Sequence, residues 1–182
     1  MQRTTFKVTS ALAFTFMAAT VQAQKTTEMG KGSGGSAHVK TEWNIGGANI
    51  SITYGRPSLK GRAEADMMPA GKEWRTGADE ATIITSDKML MFGGVHLPAG
   101  TYTINTVPGA KEWTIVLGTL GKPGQWGIPY QKNLELGRAP MTLGKAKTPA
   151  EMVTFSIDKG ANGPVLRMEW GTVSVSTPFM VM

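Results

Sequence analysis

The residues best suited to chemistry crowd into one stretch. Arg56, Lys60, Arg62, Trp74, Arg75, Asp79 and Glu80 all fall within residues 55–80, directly after Tyr54. Guanidinium forks hold carboxylates and phosphates through paired N–H donors, so the cations here describe an anion pocket. Asp79 and Glu80 supply a candidate acid–base pair for glycoside hydrolysis, and Trp74 a stacking platform. Each has a plainer reading. Arg56, Lys60, Arg62, Lys72 and Arg75 are balanced by Glu64, Asp66, Glu73, Asp79 and Glu80. A balanced network more often fixes geometry than performs chemistry. Trp74 reads equally as a plug that anchors the loop to the core. Asp79 and Glu80, adjacent on an extended chain, point to opposite faces unless the backbone bends. Arg75, close in sequence to both acids, is expected to pair with them beneath the loop, leaving Arg56 or Arg62 to face a ligand.

Other chemistry finds less support. The only histidines, His38 and His96, are far apart and lack ligand-like spacing, so no metal site is expected. Met67-Met68 and Met89-x-Met91 would suit copper, but methionine is a common core filler and the second pair falls at strand spacing. The absence of cysteine excludes disulfides, thiol catalysis and cysteine-bound zinc. There is no Gly-x-Ser-x-Gly elbow and no Ser-x-x-Lys. Neither histidine lies in the charged stretch to complete a triad, and no cofactor is expected.

The elements that must position these residues are strands. Ile50, Ile52 and Tyr54 alternate with polar residues, as do Tyr102 and Ile104; Trp113, Ile115 and Leu117; Val153, Phe155 and Ile157; and Leu166, Met168 and Trp170. Period-two alternation marks half-buried antiparallel strands. With Val39–Ile45, Ala81–Thr85, Met89–Phe92 and the Val173–Val175 run, it predicts an all-β fold, a single antiparallel β-sandwich of about nine short strands. The core is expected to hold Trp43, Ile52, Tyr102, Ile104, Trp113, Ile115, Phe155, Ile157, Met168 and Trp170. Residues 55–80 then form one long loop, beyond the roughly 12–15 residues of ordinary connections. Balanced charge and Trp74 mark it as ordered, tied down by ion pairs.

Residues 1–23 read as a signal peptide: basic Arg3 and Lys7, an apolar run from Val8 to Val21, then Val21-Gln22-Ala23. The run is shorter than the roughly 20 residues of a membrane span, and no later segment approaches that length, so the mature chain is expected to carry no transmembrane segment. Residues 24–36, ending in Gly-Lys-Gly-Ser-Gly-Gly-Ser, read as a flexible tail. They lack the spacing of a phosphate-binding loop. Residues 37–182 form the sandwich domain. Cleavage lowers the net charge from +6 to +4, because Arg3 and Lys7 leave with the peptide. The remaining basic residues are scattered, and no nucleic-acid partner is expected.

The run Tyr54-Gly-Arg-Pro-Ser-Leu-Lys-Gly-Arg62 and the run Pro69-Ala-Gly-Lys-Glu-Trp-Arg-Thr-Gly-Ala-Asp-Glu-Ala-Thr82 carry a family signature. With Leu97-Pro-Ala-Gly-Thr-Tyr102, Trp113-Thr-Ile-Val116 and Glu169-Trp170, they resemble the bacterial domain-of-unknown-function 2911 family over roughly residues 37–178. Asp79 departs from that pattern, which usually shows Asn, and Ala70 stands where a larger aromatic is common. The resemblance implies an exported bacterial protein and supplies no chemistry. The expected function is a periplasmic or secreted binding or envelope-structural module that holds an anionic or polar ligand, or an envelope component, through its charged loop. The alternative is a hydrolase of envelope sugars or peptides acting through Asp79 and Glu80.

Overall fold

Alternation along the chain sorts its side chains between two faces. The structure, a computed structural model, describes residues 24–182; the expected signal peptide lies outside them. Strand β1 spans Lys25–Lys31, β2 Ala37–Ile45, β3 Ala48–Arg56 and β4 Ile83–Ser86. In β2 the side chains of Val39, Thr41, Trp43 and Ile45 are buried, while His38, Lys40, Glu42 and Asn44 face the other way. Three short strands follow the pattern of tight turns: β5 (Leu90–Phe92), β6 (Val95–Leu97) and, at the far end of the chain, β11 (Met180–Val181). The longer ones are β7 (Gly100–Val107), β8 (Glu112–Thr119), β9 (Glu135–Gly160) and β10 (Gly163–Pro178).

The fold is all-β and antiparallel. Eight strands hydrogen-bond in the order β1-β2-β3-β4-β7-β8-β9-β10, and a second sheet has the order β11-β5-β6. The large sheet curls. Beyond β3 the chain meets β9 again, through a Ser58–Met152 bridge, Leu59 N–H to Glu151 O (3.0 Å) and Val153 N–H to Pro57 O (3.3 Å). Leu90, Phe92, Val95 and Leu97 of the small sheet join Ile52, Ile104, Leu117 and Trp170 of the large one in a single core. Nine of the ten expected core residues are buried, and Tyr102 is half-buried.

Two strands are longer than the alternation indicates. β9 runs for 26 residues and β10 for 16, with register shifts on either side of Gly171. Gly171 holds a left-handed φ of 60°, which glycine adopts without Cβ strain. The bend lets one continuous pair serve both ends of the curled sheet.

The expected flexible tail at 24–36 is corrected. β1 pairs with β2 from Lys25 opposite Glu42 to Lys31 opposite Ala37. Residues 32–36 close a tight turn, with Gly32 N–H to Ser36 O at 2.9 Å and Gly35 N–H to Gly32 O at 2.8 Å. Backbone bonding to the edge of β2 holds this strand. All its side chains are exposed, so no apolar periodicity marks it. No helix among the described residues is long and apolar enough to cross a membrane.

Candidate functional site

β3 ends at Arg56 and β4 begins at Ile83, and the excursion between them is ordered, with one short helix, α1 (Glu64–Met67). Ion pairs within the loop do not hold it. Among the described residues, no salt bridge joins two residues of 55–80. Backbone pairing does the work instead. Trp74 and Thr106 exchange both N–H···O bonds at 2.8 Å, and Gly71 N–H reaches Pro108 O at 2.8 Å. The loop's acids bond outward to the strands. Glu64 accepts from Thr172 N–H (2.6 Å) and from its hydroxyl (3.0 Å), and Glu73 meets Arg138 at 3.1 Å.

Beneath the loop lies a cavity of about 930 Å³, the size of a small-molecule site. Six of the expected site residues line it: Arg56, Lys60, Arg62, Trp74, Arg75 and Asp79. Lys31 and Gly34–Ser36, from the segment read as a tail, form part of its wall. Its apolar lining includes Met67, Ile128, Met152 and Trp170. Trp74 anchors the loop to the core: it stacks on Trp170 (5.5 Å, 11°) and meets Trp113 edge-on (6.3 Å, 84°). Two expected residues stand elsewhere. Tyr54 is a core residue, packed edge-on against Phe155 at 4.9 Å, and its hydroxyl accepts Phe155 N–H at 3.3 Å. Glu80 lies outside the lining and faces His38.

The expected pairing of Arg75 with Asp79 or Glu80 is corrected, and all three loop arginines line the cavity. Arg56 donates to Val153 O and Thr154 Oγ1, both at 2.9 Å, and ties β3 to β9. Arg62 donates to Leu59 O (2.9 Å) and Ser58 O (2.5 Å). Arg75 makes one long bond, to Gly77 O at 3.2 Å, and its guanidinium sits 6.0 Å from the centre of the Trp126 ring. It has no carboxylate partner among the described residues. Asp79 and Glu80 turn away from it, toward His38. Arg75 is therefore the loop arginine with the most unused hydrogen-bonding capacity.

Charge in the cavity does not cancel. Lys31, Arg56, Lys60, Arg62 and Arg75 face Glu73 and Asp79. Glu73 is already bound by Arg138, whose hydrogen bond holds its carboxyl below the usual range. The same guanidinium bonds Glu135 at 2.8 Å and pushes it down to about 2. Tyr130 donates to Glu135, and burial, reinforced by that bond, raises its phenol to about 12.

The bend that would bring Asp79 and Glu80 together is present. Asp79 has a left-handed φ of 62°, rare outside glycine but tolerated by Asp. Its Oδ2 lies 3.2 Å from His38 Nε2, and Oδ1 accepts Gly34 N–H at 3.0 Å. Glu80 Oε2 lies 3.4 Å from His38 Nδ1. Sequence spacing missed His38, because 41 residues separate it from Asp79. One local signal was available, in the glycines. His38 pairs across β2–β3 with Gly55, where a Cβ would stand 2.3 Å from Ala78 O. At Gly32 a Cβ would stand 2.1 Å from Asp79 Oδ2. These glycines permit close approach rather than flexibility.

Residues 36–179 match a protein family described as a protein of unknown function, DUF2911. No curated protein and no solved structure matches the chain.

Proposed function

The chain belongs to the DUF2911 family, and from that premise we propose an exported, non-catalytic binding or envelope-structural module whose cavity holds an anionic ligand with a flat or apolar part. One observation carries the reading: five cations line the cavity, and its two carboxylates already have partners. Cations satisfied by backbone carbonyls keep their charge, so the cavity favours an anion. The stacked Trp74–Trp170 pair offers such a ligand an aromatic surface. Export, to the periplasm or beyond, rests on the Arg3–Ala23 pattern.

Hydrolysis through Asp79 and Glu80 is the competing reading. Both oxygens of Asp79 are engaged and Glu80 is outside the cavity lining, an arrangement that favours binding.

Anilinonaphthalenesulfonate combines an anionic group with fused rings and is the probe of choice. Its fluorescence should saturate at one molecule per chain. Affinity should fall several-fold in Arg75→Ala and with added salt, because cavity charges are screened. Unsaturable binding, or an affinity indifferent to both changes, would overturn the proposal.

A further inference from the structure

We infer that His38, Asp79 and Glu80 form a binding site for a divalent transition-metal ion, of which zinc is the representative probe. One ligand atom from each residue lies within 4.8 Å of the others. Zinc bonds of ~2.0–2.2 Å place tetrahedral ligands about 3.3–3.6 Å apart. His38 Nε2 and Asp79 Oδ2, at 3.2 Å, stand just short of that spacing. Glu80 Oε2 stands at the other ring nitrogen, 3.4 Å from His38 Nδ1, so the Glu80 side chain, 41% exposed, must swing to the Nε2 side to complete the set.

Three further observations separate this cluster from an ordinary ion pair. First, two neighbouring carboxylates share one imidazole, and among the described residues no lysine or arginine pairs with either. Five cations line the adjacent cavity, and Arg75 bonds a carbonyl rather than either acid. Second, Glu80 Oε2 is closed off from solvent, and His38 Nδ1, at 3.4 Å, does not make a hydrogen bond to it. A buried carboxylate oxygen left unsatisfied is costly, and a cation would satisfy it. Third, Asp79 is 4% exposed, and Gly34 N–H holds its Oδ1 so that Oδ2 is presented to His38. That is the kind of outer bond that orients a metal ligand.

Imidazole together with two carboxylates suits zinc, iron or manganese better than the all-oxygen ions. Three protein ligands leave a fourth position for water or a substrate. Asp79 also lines the cavity, so the ion would sit at its wall. The site does not depend on the anion-binding proposal: loss of dye binding would leave the metal test untouched, and the converse also holds.

The chain's two histidines make the test direct. His96 is exposed on β6 and serves as an internal control. Zinc titrated into the whole protein should shift the ring resonances of one histidine at one equivalent, and a chelator should reverse the shift. The shifting signal should be the one missing in His38→Gln. Removing even an outer-shell partner weakens metal binding about 10–100-fold, so Glu80→Gln should weaken it by at least roughly tenfold. Glu80 is partly exposed, so that variant should still fold, as its melting curve would show. If the His38 signals stay fixed at a large excess of zinc, the inference fails. It fails equally if only His96 responds, or if Glu80→Gln binds zinc as tightly as the parent.

Discussion

Arg56 and Arg75 should separate cleanly when each is replaced by alanine. Arg56 makes two charged hydrogen bonds of 2.9 Å, one to Val153 O and one to Thr154 Oγ1, and these bind β3 to a strand about a hundred residues away. Hydrogen bonds to charged groups contribute roughly 1.5–3 kcal/mol each. Thr154 Oγ1 still donates to Met152 O at 3.0 Å, so its hydroxyl is not left without a hydrogen bond. Arg56→Ala should then cost about 2–3 kcal/mol, a fall in Tm of roughly 4–12 °C for a domain of this size. Arg75 makes a single 3.2 Å bond and a 6.0 Å cation–π contact with a partly exposed indole. Such contacts contribute about 0.5–1 kcal/mol each when exposed, so Arg75→Ala should cost about 1–2 kcal/mol. Residues aimed at ligands commonly add little to stability. Urea and thermal denaturation of the two variants beside the parent would measure both numbers. If Arg75→Ala lost more than about 2 kcal/mol while Arg56→Ala stayed within about 0.5 kcal/mol, the assignment of roles would be refuted.

Trp113 is buried in the core and packs edge-on against Trp74. Trp113→Ala should therefore cost about 3–5 kcal/mol in denaturant unfolding; a loss below about 1 kcal/mol would show that its face is not the buried one. The Arg138 network sets two pH windows. Glu135 falls from 4.5 to about 2 in the folded protein, so its contribution is complete above about 4.5 and disappears as pH drops toward 2. Screening at this partly exposed pair limits that contribution to about 1 kcal/mol. Tyr130 rises from 10.0 to about 12, so its contribution is present below about 10 and is lost as pH climbs toward 12. Melting curves of Glu135→Gln across both ranges should be flatter than those of the parent; identical profiles would contradict the network.

Periodicity made most of the sheet legible, because burying one face of a strand leaves a local imprint on every second residue. Val39 to Ile45 and Leu166 to Trp170 fold as that imprint reads. β1 left none: its seven side chains are all exposed, and only the backbone binds it to β2. The Gly-rich turn beside it suggested mobility for a related reason. Composition cannot distinguish a glycine that frees the chain from one that lets Asp79 come close, as Gly32 does. The place of the candidate cavity was legible as well, since six of the residues that stood out in the charged loop line it.

The partners of those charges were not legible, and the reason is physical. Nearness in sequence made Arg75 the natural mate of Asp79 and Glu80, but a left-handed residue at Asp79 turns both acids onto His38, a residue contributed by β2. Arg56 finds its acceptors on β9, Glu73 meets Arg138 and Glu64 meets Thr172. Residues 55–80 carry no net charge, yet the cavity they cover is cationic. The fold engages the acids with distant strands and with His38, so the two that remain in the cavity lining, Glu73 and Asp79, already have partners. Balance along a sequence therefore does not imply balance in a site. Ligand charge has to be argued from where each partner lies in space, and here that places the unpaired positive charge on the cavity wall, around Arg75.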